Sequence, residues 1–128
     1  MQNNGSDHRA LALWAADCAE RTLPLFEAEH PDDKRPREAI SAARRWSKDK
    51  LSIFAARQFA LAAHTAAREA STEAARQAAR AAGHAAATAH MPRHAPHAAD
   101  YAVKAVTAQG GDSAAEEQWQ DEKLPKLG

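Results

Sequence analysis

Residues 73–90, EAARQAARAAGHAAATAH, decide the fold. On an α-helix, the alanines of this stretch cover roughly half of the circumference. Nine of its ten alanines form this face, at positions 74, 75, 78, 79, 81, 82, 85, 86 and 89. The opposite half carries Arg76, Gln77, Arg80, His84 and Thr88. Because a face made only of alanine must lie very close to its neighbour to pack well, the stretch predicts a helix pressed tightly against another helix.

Three further helices are predicted before this stretch. The first begins near Asp7 and kinks or restarts at Pro24, which lacks a backbone donor. The second opens near Pro36, and the third is capped by Ser52. The buried face of the first helix is expected to consist of Leu11, Ala15, Cys18, Thr22 and Phe26.

The alanine-rich helix itself is expected to follow a cap at Ser71 or Thr72 and to end near His90. After it, Pro96 is expected to open a fifth helix. A short acidic helix follows, with Ser113 and Glu116 forming the capping box S-x-x-E.

The sequence therefore predicts an all-α, single-domain helical bundle of about five main helices plus a short C-terminal helix. Alanine contributes 35 of the 128 residues, so the packing is expected to be alanine-rich. Three segments are expected: a polar N-terminal segment 1–8, the bundle 9–109, and an acidic C-terminal helix and tail 110–128.

The charge of the chain is balanced overall but unevenly distributed. The formal net charge is zero, which favours neither nucleic acid nor a membrane surface as partner. Residues 34–80 carry an excess of positive charge, and both ends carry an excess of negative charge. Asp17 and Arg21 are spaced to pair on the first helix. With one cysteine and no apolar segment of membrane-spanning length, the chain is expected to be soluble and cytoplasmic.

Four histidines lie between residues 84 and 97, where two prolines interrupt the chain. A turn could gather His90, His94 and His97 around a metal ion. No cysteine pair and no HExxH motif accompanies them, so neither a metal nor another cofactor is expected. Histidines that bond across the bundle, and a functional histidine in a pocket or interface, remain the other interpretations.

The third helix combines large apolar side chains with cations. Phe54 and Leu61 lie among Arg57, His64 and Arg68 on one side of it. This pattern indicates either an internal polar pocket or a contact face for another protein.

Motifs of nucleophilic catalysis are absent from the sequence. Cys18 falls on the apolar face of the first helix and is expected to be a core residue. There is no glycine-rich phosphate loop and no GxSxG. An acid–base pair could be drawn from Asp17, Glu27, His64 or His84, but this needs a geometry that the sequence does not give, and the chain is not expected to be an enzyme.

Four blocks in order carry a family resemblance: LWAADCAERTLPLFE, RPREAISAARRW, AAHTAAREA and AGHAAATAHMPRHAPHAADYAVKAV. From about residue 9 to 106, the chain resembles the immunity protein five-like family of bacterial polymorphic toxin systems. The resemblance implies a small helical cytoplasmic protein that binds and neutralises a cognate toxin. The positions that match the family's recurring polar residues are Asp17, Glu27, Arg35, Arg37, His64, His84, His90 and His94.

Two hypotheses follow for these residues. In the first, they and the third helix bind a toxin protein stoichiometrically. In the second, the chain is a small enzyme or a protein that binds a small molecule or a metal, and Asp17, Arg37, His64, His84 and His90 converge on one cavity. Self-association through the alanine faces is a third and weaker possibility.

Overall fold

The computed structural model describes residues 4–127, and all regular secondary structure within them is helical. The helices are α1 (Asn4–Glu27), α2 (Arg35–Ser47), α3 (Ile53–Glu69), α4 (Glu73–Ala87), α5 (His94–Ala108) and α6 (Ser113–Lys123). The prediction of an all-α bundle with five main helices and a short C-terminal one is confirmed.

Helix α4 lies at the centre of the bundle, against α1, α2, α3 and α5. Its alanine face is buried as predicted, and the central members are wholly inaccessible to solvent. The buried residues of this helix are Ala74, Ala75, Ala78, Ala79, Ala81, Ala82, Gly83, Ala85 and Ala86. Because these side chains are so small, four helices can approach α4 closely and place their polar groups near one another.

Helix α1 is longer and more continuous than predicted. Its described part begins at Asn4 instead of near Asp7, and it runs through Pro24 to Glu27 without a break. Pro24 lies on the exposed side of the last turn, and the N–H of Ala28 donates to its carbonyl at 2.9 Å, so the helix continues beyond the proline. The predicted buried face is confirmed for Ala15, Cys18, Thr22 and Phe26, and Leu11 is half-buried.

The predicted caps of α3 and α4 are confirmed. The side chain of Ser52 accepts a hydrogen bond from the N–H of Ala55, and that of Thr72 accepts one from the N–H of Ala75. Helix α4 ends at Ala87, three residues before the expected end.

At the other boundaries, the prediction was wrong in detail. Helix α5 begins at His94, so Pro96 is its third residue and not its first. The cap of α6 is Asp112, whose carboxylate accepts from the N–H of Ala115, and Ser113 is the first helical residue. The capping box does not form because Glu116 bonds elsewhere.

Glu116 fastens α6 to α1. The guanidinium of Arg21 donates to both carboxylate oxygens, at 2.7 and 3.0 Å, and it also lies 4.1 Å from the centre of the Trp119 ring. Nearby, the indole N–H of Trp14 donates to the carbonyl of Gln120 at 2.9 Å. The expected Asp17–Arg21 pair is therefore replaced by a contact between helices far apart in the sequence.

None of the helices within residues 4–127 has both the length and the apolar character needed to cross a membrane.

Candidate functional site

Histidines from three helices meet on one side of α4. His64 comes from α3, His84 from α4, and His94 and His97 from α5, and these four form the histidine cluster. The Nδ1 atoms of His84 and His94 are 2.9 Å apart. The His84 ring also meets the edge of His64, with ring centres 4.9 Å apart, and stacks nearly parallel on Tyr101 at 5.0 Å.

A glycine on α4 makes room for the first of these rings. A Cβ atom at position 83 would lie 2.6 Å from Cε1 of His64, far inside van der Waals contact. Gly83 therefore lets the His64 ring lie directly against the backbone of α4. In that position, Nδ1 of His64 accepts a hydrogen bond from the Arg80 guanidinium at 3.1 Å, so the ring carries its proton on Nε2.

Burial lowers the pKa of three of the four histidines in the cluster, His64, His84 and His94. Burial, reinforced by the nearby Arg80, lowers the pKa of His64 to about 4. Burial, reinforced by the neighbouring His64 and His94, lowers the pKa of His84 to about 3. The pKa of His94 is lowered by the same cause, with His97 contributing. His64, His84 and His94 are thus uncharged donors and acceptors at neutral pH.

A metal ion would need ligands arranged around one point. Among residues 4–127, no three histidine, cysteine or carboxylate side chains are grouped in a way that could hold one. The turn before α5 does not gather His90, His94 and His97: His90 is exposed, whereas His94 faces His84.

A groove of about 180 Å³ opens the histidine cluster to the surface. It is lined by Arg57, Ala60, Leu61, His64, Ala87, His90 and His94. The outer wall belongs to α3, where Leu61 is 59% exposed and Phe54, two turns earlier on the same side, is 73% exposed. We call Phe54, Arg57, Leu61 and Arg68 the α3 surface.

The arginines of the α3 surface are free of carboxylates. Arg57 forms no ion pair with any residue in 4–127, and Arg68 donates only to the hydroxyl of Thr65, at 3.0 Å. The surface therefore presents apolar side chains and two positive charges to solvent. The sequence left two alternatives open for this side of α3, an internal polar pocket or a contact face. Phe54, Leu61 and both arginines lie outside the bundle, so this side does not form an internal pocket.

Four other candidates named from the sequence form ion pairs: Asp17, Glu27, Arg35 and Arg37. The pairs are Arg35 with Asp33 and Glu69, Arg37 with Glu27, and Arg44 with Asp17 and Glu20. The Arg37–Glu27 pair has two parallel hydrogen bonds, of 2.8 and 2.6 Å, and the guanidinium lowers the pKa of that carboxyl. Asp17 and Arg37 thus do not share a cavity with His64, His84 and His90.

Some residues of the site were missed at the sequence level. Tyr101 follows His94 by seven residues and His97 by four, so helical periodicity alone could have placed it on the same face. The role of Gly83 had no such signal, because it depends on which side chain of α3 lies opposite. His8 was missed too: its Nε2 bonds the carbonyl of Thr88, and its ring packs on the half-buried Trp46.

Comparison with known proteins agrees with the sequence blocks noted above. A family model described as Imm-5 like putative immunity protein matches residues 2–127. No curated protein and no solved structure matches the chain. The family match covers the histidine cluster and the ion pairs. It also covers α6, which lies outside the four sequence blocks that carry the resemblance.

Proposed function

This chain belongs to the Imm-5 like immunity protein family, and we propose that it binds and neutralises a bacterial toxin by forming a stoichiometric complex in the cytoplasm. The chain performs no catalysis of its own in this proposal. Its role is to cover a surface that the toxin needs.

The exposed α3 surface carries this proposal. Burying apolar side chains such as Phe54 and Leu61 away from water is favourable, and aromatic and arginine residues are enriched where proteins meet. Phe54 is 73% exposed and Leu61 is 59% exposed, although the bundle has a large buried core. Two apolar anchors separated by an arginine, on a rigid helix, form a patch typical of a protein-binding surface.

The charge of the α3 surface specifies the partner's chemistry. Arg57 and Arg68 lack carboxylate partners in residues 4–127, and the adjoining groove is lined by His64, His90 and His94 and by no acid. A complementary toxin surface carries carboxylates around an apolar pocket or side chain. The basic middle of the chain thus meets the toxin, and its acidic ends do not.

Capture from the native host with a tagged chain tests this function. The wild-type chain is expected to retain one protein in equimolar amount, which mass spectrometry identifies. That protein, expressed alone in a bacterial host, should arrest growth, and co-expression of the chain should restore it. Restoration without a complex, or turnover of a substrate by the purified chain alone, would refute the proposal.

A matched pair of variants locates the surface. Phe54→Ser/Leu61→Ser removes the two apolar anchors, and Leu124→Ser/Leu127→Ser removes two side chains of similar exposure near the end of the chain. The first variant is expected to lose both the complex and growth protection while keeping its helicity and melting temperature. The second is expected to keep all of these properties. Equal behaviour of the two variants would exclude the α3 surface.

A further inference from the structure

A cleft between α1 and α2 shares no lining residue with the histidine cluster. Its volume is about 410 Å³. It is lined by Glu20, Leu23, Arg37, Ile40, Ser41, Arg44, Arg45, Lys48 and Lys50. Five of these side chains are cationic, and one is a carboxylate. The buried Leu23 and Ile40 contribute apolar walls.

Two of the cations have a structural role. Arg44 is held between Asp17 and Glu20, at 2.8 and 2.7 Å, and Arg37 is held by Glu27. These ion pairs fix both guanidinium groups where α1 and α2 meet. Their charge is largely compensated.

The other three cations are uncompensated. Arg45, Lys48 and Lys50 form no ion pair with any residue in 4–127. Adjacent lysines and arginines repel one another, so their concentration around one cleft is unfavourable unless an anion is bound there or solvent screens them.

The end of α2 is shaped so that both lysines reach the cleft. Asp49 has a left-handed backbone with φ 62°, a conformation that aspartate tolerates better than most residues. The turn brings the N–H of Lys50 back to the carbonyl of Arg45 at 2.9 Å. Lys48 and Lys50, on either side of Asp49, consequently line the same cleft.

We propose that this cleft binds a phosphorylated small molecule of about mononucleotide size. Arg45, Lys48 and Lys50 would contact its phosphates, and the walls formed by Leu23 and Ile40 would take the less polar part. The volume lies within the ordinary range for small-molecule sites, about 300–1,000 Å³. This site is separate from the α3 surface and does not depend on toxin binding.

Titration of the full chain with ADP, pyrophosphate and adenosine tests the proposal. Amide resonances are followed by NMR at low and at physiological salt. ADP is expected to bind saturably and to shift the resonances of residues 40–51. Pyrophosphate should bind more weakly at the same amides, and adenosine should not bind measurably. Binding of adenosine equal to that of ADP, or no saturable shift with either phosphate compound, would overturn the proposal.

Two variants of equal net charge distinguish a site from general attraction to a basic surface. Lys48→Ala/Lys50→Ala removes two lining cations, and Lys123→Ala/Lys126→Ala removes two exposed lysines near the C-terminal end. ADP affinity is expected to fall at least about tenfold in the first variant and to stay within about twofold of wild type in the second. Equal losses would overturn the proposal. Since all these lysines are exposed, both variants should fold, as their melting temperatures will show.

Discussion

His84 and His94, ten residues apart on α4 and α5, face each other with their Nδ1 atoms 2.9 Å apart. Two ring nitrogens at this distance need one proton between them, because two bare nitrogens repel and two N–H groups collide. One ring donates from Nδ1, and the other accepts there and carries its own proton on Nε2. Burial, with repulsion from His64 and His94, lowers the pKa of His84 and so keeps this ring uncharged at neutral pH.

Stability should decrease as the pH is lowered from 7 to 5. His64 and His84 have folded-state pKa values of about 4 and about 3, below the usual 6.5, so in this window the unfolded chain binds more protons than the folded one. After allowance for solvent screening at these partly exposed groups, the loss in unfolding free energy is expected to be about 1–2 kcal/mol. Urea unfolding at each pH measures it.

A double variant and a control assign that pH dependence to the cluster. His84→Gln/His94→Gln should make it shallower, because two of the groups that take up protons on unfolding are gone and His64 remains. His30→Gln, outside the histidine cluster, should leave most of the slope in place. The assignment fails if both variants retain the wild-type slope.

Gly83→Ala should destabilise the bundle, although alanine is the better helix former. A new Cβ would lie 2.6 Å from the His64 ring, so the ring must move and give up its bond from Arg80. We expect a net loss of about 1 kcal/mol by thermal or urea unfolding, after a helical gain of similar size.

The same substitution should change sign once the ring is absent. In a His64→Ala background, Gly83→Ala is expected to stabilise by about 0.5–1 kcal/mol, because only the helical gain remains. A destabilising effect of equal size in both backgrounds would contradict the close approach of His64 to α4.

Arg21→Ala should loosen α6. Glu116 is only 7% exposed, and without the guanidinium its carboxylate stays buried without a partner. A loss of about 2–3 kcal/mol is expected, with faster amide hydrogen exchange across residues 113–123. Arg21→Ala/Glu116→Gln should lose less, because the buried charge is removed as well. A greater loss in the double variant would show that the pair does not hold α6.

Cys18 should be inert in the folded protein. Its side chain is fully buried, and burial, reinforced by Asp17 and Glu116, raises the pKa of the thiol to about 12. A disulfide reagent at neutral pH should label it only after unfolding in urea. A Ser41→Cys variant, with its thiol at an exposed position, supplies the comparison and should react at once at that position. Rapid labelling of native wild type would contradict the burial of Cys18.

Some features of the fold could be read from local pattern. Ser52 and Thr72 cap their helices as predicted because the bond of an N-cap reaches only three residues ahead. The same reasoning was wrong for Ser113 and Glu116. Glu116 bonds Arg21, 95 residues away in the sequence, and a distant cation outcompetes the local backbone N–H.

The candidate site was predicted in part. His64, His84 and His94 were named from the sequence, and the structure brings them together. Asp17 and Arg37 were named with them, yet they lie in ion pairs on another side. Residue type and spacing identify polar side chains that helix formation and packing do not require. They do not indicate which helix lies opposite each of these side chains.

The sequence by itself determined the all-α class, the order of the helices and the buried alanine face of α4, because these depend on hydrogen bonds and side-chain spacing within a few residues. Only the tertiary structure decided that His84 meets His94 and His64, that Arg21 holds Glu116, and that Lys48 and Lys50 share a cleft with Arg44. Those contacts depend on how the helices are rotated and placed around α4. That arrangement is set by the packing of the whole core and not by any one segment.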